Sequence, residues 1–208
     1  MIFEVIFDVE TQKLFSDITT DDPADLGVSV VSVYRRTLDD VGNEISGEMN
    51  TYWESSMGKS PMIADMWETF ERADRIIGFN SKHFDVAALR PYYDKDFSKL
   101  PHFDILELVK QSIGRRIGLN ALADATIGAG KIDVGTNAVY YWANQTEENL
   151  ALLKKYCESD VALTRDLYDF GRKHSHLKYL DNRSNILTNI TVDFSHPPKK
   201  QEVQIGLF

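Results

Sequence analysis

Four acids and one tyrosine are the residues of this chain best placed to do chemistry. Asp8 and Glu10 stand in "IFDVET", Asp85 in "GFNSKHFDVAAL", and Tyr156 and Asp160 in "YCESDVALTRDLY". Each acid falls where the surrounding pattern calls for an apolar residue, and a buried carboxylate is costly unless it is paired or metal-bound. Asp8 and Glu10 are two apart on a strand, so their side chains point to one face. Alone, such a D-x-E pair also describes a strand end whose acids reach solvent. Asp85 sits near a helix start, with Ala88, Leu89 and Tyr92 following at helical spacing, and the helix dipole by itself tolerates an acid there. Tyr156 and Asp160 are i and i+4 on one helix face that continues through Leu163 and Leu167. Capping does not explain an acid inside that apolar stripe. Four acids brought to one place repel each other unless cations are bound there, an arrangement suited to chemistry on phosphodiesters.

The elements that must position these residues follow from periodicity. Residues 2–9 alternate, with Phe3, Val5, Phe7 and Val9 on one face and Ile2, Glu4, Ile6, Asp8 and Glu10 on the other. Further strands are expected at 27–36 and 44–53, separated by the turn "DDVGN". A helix carrying Met62, Met66, Trp67 and Phe70 begins near Pro61, a residue that suits a first turn. "RIIGFN" at 75–80 reads as a short buried strand running into the helix of Asp85. From 103 to 145 the pattern is helical, with two segments ending at glycine. Thr146 is positioned to cap the longest helix, 147–173, whose first turn is acidic. Strands precede helices, so the class is α/β with a β-meander first. Residues 1–194 are expected to form one domain and 195–208 a polar, proline-containing tail.

Length and composition bound the rest. The 208 residues suffice for one domain with a substantial core. No run approaches the roughly 18 apolar residues of a membrane span, no charged-then-apolar leader opens the chain, and no membrane partner is expected. A single cysteine, Cys157, permits no internal disulfide and fits a reducing cytoplasm. A net charge of −9 argues against a protein that coats nucleic acid through bulk electrostatics, though not against an enzyme that acts on it. Lys82, Arg115, Arg116, Lys131, Arg172 and Lys173 are candidates for a local basic cluster. Glu4 reads as a sheet-edge or solvent-side residue, Asp104 as the cap of the following helix, and Cys157 as core. His83, His102, His174, His176 and His196 form no metal-ligand spacing and read as surface residues.

Taken together, the three segments resemble the three motifs of the DEDD family of 3′–5′ exonucleases, which has a ribonuclease H-like fold: a mixed central sheet flanked by helices. "FDVET" is similar to the first motif, "GFNSKHFDVAAL" to the second and "YCESDVALT" to the third. The tyrosine four residues before the last aspartate marks the DEDDy branch. The sister branch has histidine five residues before that aspartate, where this chain has Lys155. The likeness spans about residues 2–180 and is nearest to stand-alone or helicase-associated domains, departing from them at "YYWANQT", where a glycine is expected soon after the tryptophan. It implies two divalent cations, Mg²⁺ or Mn²⁺, held by Asp8, Glu10, Asp85 and Asp160, with Asp8 between them. It further implies that Tyr156 orients the attacking water, and that Asn80, Phe84 and Thr11 line the terminal nucleotide. The reaction implied is release of nucleoside 5′-monophosphates from the 3′ end of single-stranded DNA.

The end of the tail, Gln204-Ile205-Gly206-Leu207-Phe208, resembles the short motif by which bacterial proteins bind the DNA sliding clamp. Leu207 and Phe208 would fill an apolar pocket, and Gln204 would hydrogen-bond beside it. Such a tether raises local concentration at DNA without new contacts at the active site. Two alternatives stand beside this reading: an exoribonuclease trimming RNA 3′ ends, and a catalytically idle clamp-binding adaptor.

Overall fold

The computed structural model describes residues 1–58, 61–129, 136–181 and 184–195. The first strand, β1 (Ile2–Thr11), pairs antiparallel with β2 (Val28–Leu38), which pairs antiparallel with β3 (Glu44–Trp53). The chain then crosses to the other side of β1. After a 3-10 turn, Ile63–Met66, and a short helix α1 (Trp67–Glu71), strand β4 (Arg75–Gly78) lies parallel to β1. Helix α2 (Asp85–Leu89) follows, then β5 (His102–Asp104), parallel to β4. The result is a five-stranded mixed sheet in the order β3-β2-β1-β4-β5.

Helices α3 (Ile105–Ile113), α4 (Leu119–Ile127), α5 (Thr136–Asn144) and α6 (Glu147–His174) complete the core, and an antiparallel hairpin of β6 (His176–Asp181) and β7 (Ile186–Thr191) closes it. Strand β1 is buried on both faces because each face has its own cover. Val5, Phe7 and Val9 pack with Met66, Phe70, Ala88 and Leu89 on one side. Ile6 packs with Ile77, Val109, Leu122, Val161 and Leu167 on the other. Each fully buried aliphatic or phenyl side chain contributes about 1.5–3 kcal/mol relative to exposure. Helix α5 docks on α6 through Ala138, Trp142, Leu150, Leu153 and Cys157.

The long helix matches its local chemistry. Thr146 caps it by accepting a hydrogen bond from the Asn149 amide at 3.1 Å, Glu147 and Glu148 occupy the first turn, and Arg172, Lys173 and His174 the last. Gly171 is required for packing: a Cβ there would come within 2.1 Å of the Phe194 ring. The α/β class and the mixed sheet flanked by helices agree with the expectation from sequence. The segment from 103 onward is not all helix, because His102–Asp104 forms β5. Three residues are too few to display a period of two. No strand was expected at β6 and β7, whose outward side chains include Leu180, Ile186 and Leu187. Residues 196–208, with the clamp-like motif, and Lys131 lie outside the described residues.

Glu4 corrects the expectation of a solvent-side residue. It is fully buried, not at a sheet edge. The cross-strand register places Arg36 directly opposite, and the Arg36 guanidinium donates to Glu4 at 2.9 Å while the Tyr168 hydroxyl donates at 2.7 Å. Arg36 also forks onto Asp169 at 2.8 and 2.6 Å. Alternation along one strand cannot reveal a partner supplied by the next. His102 is a second correction: it is half-buried, one ring nitrogen bonds the Phe97 carbonyl at 2.8 Å, and burial lowers its pKa.

Candidate active site

The chain changes direction across the sheet at β1, sending β2 and β3 to one side and β4 and β5 to the other. In such sheets the crevice outside the carboxyl ends of the parallel strands is where ligands bind. The register pairs Ile6 with Ile77, so Asp8 and Glu10 extend past the last paired residue of β4 into that crevice. A bulge after Glu10 ends the regular pairing with β2. Asp85 enters from the first turn of α2, just beyond β4. Helix α6 crosses the same end of the sheet and brings Tyr156 and Asp160 down on one face.

The acids converge. Carboxylate oxygens of Asp8, Glu10 and Asp160 lie within 4.8 Å of one another, and all three side chains are partly buried. Asp85 is deeper, at 4% exposure. At such spacing each fully ionised pair repels by roughly 3–4 kcal/mol with an effective dielectric constant of about 20. The protonation equilibria show the strain. Burial, then the charges of Asp85, Asp160 and Glu10, push the Asp8 carboxyl well above its ordinary range, with the Cys157 thiol acting the other way. Burial followed by Asp160 and Asp85 does the same to Glu10. Burial raises Asp85 to about 7, and burial raises Asp160 to about 6 against a hydrogen bond from Tyr156. Burial and the three nearby acids raise the Tyr156 phenol above its usual value, so it stays protonated and donates.

Among the described residues, no lysine or arginine neutralises these four acids. A site of converging, partly exposed carboxylates without cationic side chains suits hard divalent cations, which take oxygen ligands. The donor set therefore fits the metal ions expected from sequence.

The other sequence candidates sit around this cluster. Asn80 adopts φ 64° in the loop before α2, and its side-chain oxygen accepts from Arg116. Phe84 meets Phe15 edge-on with ring centroids 6.1 Å apart. Thr11 is buried and its hydroxyl is engaged with the Lys13 carbonyl at 2.9 Å. Of the basic candidates, Lys82 and Arg116 share one cavity with Asn80, and Arg115 lies beside it. Arg172 does not join them: it packs over Tyr168 and donates to the Gly42 carbonyl at 3.4 Å.

Two residues near the site were not singled out by sequence reasoning for the part they play. Asp104 caps α3 as expected, but the same carboxylate also accepts from the backbone amides of Asn80 at 2.9 Å and Lys82 at 3.0 Å. It thereby ties down the loop that delivers Asp85. Phe15 is an aromatic ring 47% exposed. Its signal in the sequence was a phenylalanine in the otherwise polar stretch "TQKLFSDITTDD".

Comparison with known proteins agrees with the fold. Residues 5–170 match the family RNase_H_2, of the RNase_H superfamily. No curated protein matches the chain in sequence. Among solved structures, the fold is similar to part of a family B DNA polymerase from the hyperthermophilic archaeon Pyrobaculum calidifontis, with a TM-score of 0.58 at 15% identity. That match covers 83% of this chain and 25% of the polymerase.

Proposed function

The chain belongs to the RNase_H superfamily, and from that membership and its acid cluster we propose that it is a 3′–5′ exonuclease of the DEDDy type acting on single-stranded DNA. The observation that carries this reading is the approach of Asp8, Glu10 and Asp160 to within 4.8 Å at the carboxyl end of β1, with Asp85 behind them and the Tyr156 phenol beside Asp160. In this reading Asp8, Glu10 and Asp160 hold the metal pair with Asp85, directly or through water. Two divalent cations bound there supply activation of a water and neutralisation of charge on the leaving 3′ oxygen.

The protein's own groups do the rest. Asp8 presents its carboxylate between the other acids. The protonated phenol of Tyr156 orients the attacking water and is too weakly acidic to act as its base. Asn80 and Phe84 flank the place for the terminal nucleotide, and Phe15 adds a second ring beside Phe84. The likeness to part of a DNA polymerase favours DNA over RNA. The tether to a sliding clamp through Gln204, Ile205, Leu207 and Phe208 is proposed on sequence alone.

The test is digestion of 5′-labelled single-stranded DNA and matched RNA with Mg²⁺, Mn²⁺ or EDTA, beside Asp160→Asn. A metal-dependent ladder shortening from the 3′ end, stronger on DNA and absent in the variant, is the expected result. Preference for RNA overturns the substrate, and cleavage of neither strand overturns the enzyme.

A further inference from the structure

With a net charge of −9, this chain repels nucleic acid on average, so a strand must be met by a local concentration of cations. Among the described residues such a place adjoins the acids. The loop between β4 and α2 puts Lys82 and His83 on the surface, the C-terminal turn of α3 adds Lys110, and the α3–α4 connection adds Arg115 and Arg116. Asn80, Lys82, Lys110 and Arg116 line a cavity of about 220 Å³. Arg116 continues into a second cavity of about 550 Å³, shared with Arg115, Tyr179 and Leu180. The two cavities thus form one groove that starts at the loop delivering Asp85.

Acidic residues line it too, but they do not reverse its sign. Glu107 is bridged to Lys82 at 2.7 Å, and Asp124 faces the second cavity. Asp104 is buried and engaged by three backbone amides. Four cationic side chains therefore stand against two exposed acids. Their geometry suits a strand. Arg116 is anchored by its hydrogen bond to Asn80, and the Arg115 guanidinium lies over the Tyr179 ring, 4.7 Å from its centroid. Cations that track a backbone, with a flat aromatic or guanidinium surface for a base, are how single strands are held without sequence preference.

We propose that this groove carries the phosphate backbone of the strand upstream of its 3′ end, with Lys110 and Arg116 at phosphates and the Arg115–Tyr179 pair as a stacking surface. This rests on the exonuclease reading for the position of the 3′ end. The test is binding of a 5′-fluorescein oligothymidylate, in Ca²⁺, across a salt series from about 50 to about 200 mM. The double variant Lys110→Ala/Arg116→Ala is compared with Arg72→Ala/Lys99→Ala, which removes the same charge near the opposite ends of β4 and β5. All four side chains are exposed, so both variants are expected to fold.

The groove variant is expected to bind roughly tenfold more weakly, with the slope of log affinity against log salt shallower by about 0.7 for each phosphate that is no longer neutralised. The other variant is expected to bind as the unsubstituted protein does. Equal weakening by both, no weakening by the groove pair, or no binding by the unsubstituted protein overturns the proposal. Groove-dependent binding without cleavage of any strand upholds the groove and overturns the exonuclease reading instead.

Discussion

The Cys157 thiol lies 3.5 Å from the backbone carbonyl of Asp8 and 3.8 Å from its carboxylate. This approach sets how closely α6 rides over the end of β1, and so how near Asp160 comes to Asp8. Cys157 is fully buried. Cys157→Phe is expected to cost about 1–3 kcal/mol through overpacking and to slow hydrolysis by about 10²-fold, since a shift near 1 Å misplaces the acids. Cys157→Ala should leave the rate within a few-fold. Rates measured beside urea midpoints check this. Equal rates for the two variants would mean that the space between α6 and Asp8 does not set the site.

In the proposed mechanism, metal and pH act on the same cluster with a definite sign. The unfolded carboxyls titrate near pH 4, whereas burial holds Asp160 at about 6 and Asp85 at about 7 in the fold. Folding therefore favours the protonated forms. The stability they contribute is complete below about pH 4 and is lost as pH rises through about 6 and about 7. In EDTA the melting temperature should fall across that window. Added Mg²⁺ should reverse the loss, with a larger shift at about pH 8 than at about pH 5, because protons compete for the ligands. A Mg²⁺-induced shift independent of pH would remove these acids as the ligands.

Glu4 offers a prediction remote from the chemistry. Its carboxylate is fully buried between Arg36 and Tyr168. Removing one partner of a buried pair typically costs 3–5 kcal/mol, and Arg36 keeps Asp169, so Glu4→Ala is expected to cost about 3 kcal/mol. Hydrolysis per folded molecule should be unchanged. Urea denaturation and a rate normalised to folded protein read the two effects apart.

The same residue shows where the sequence was legible and where it was not. The strands 27–36 and 44–53 and the helix 147–173 were readable because their periods, turns and caps are local; they appear as Val28–Leu38, Glu44–Trp53 and Glu147–His174. The convergence of Asp8, Glu10 and Asp160 was readable for another reason: each breaks an apolar pattern in its own segment. Glu4 breaks the same pattern, yet its explanation sits across the sheet at Arg36. Asp104 was legible as a cap, but its hold on Asn80 and Lys82 depends on β5 lying beside β4. Relations made by the tertiary fold leave no period in the chain.

In the proposed mechanism, Tyr156 separates orientation from metal binding. Its hydroxyl stays protonated because burial and the surrounding acids oppose its ionisation, and it lies beside Asp160 as a hydrogen-bond donor. Tyr156→Phe removes that donor while leaving every carboxylate in place. The rate should fall by about 10²-fold, as expected when a reacting group loses its alignment, and the Mg²⁺-induced rise in melting temperature should persist. Asp160→Asn should instead abolish hydrolysis and diminish the Mg²⁺ effect together, because it removes a ligand. Lys155→Ala is the control, since Lys155 is exposed one residue away on α6. If that change slowed hydrolysis while Tyr156→Phe did not, the position that marks the DEDDy branch would have been misassigned.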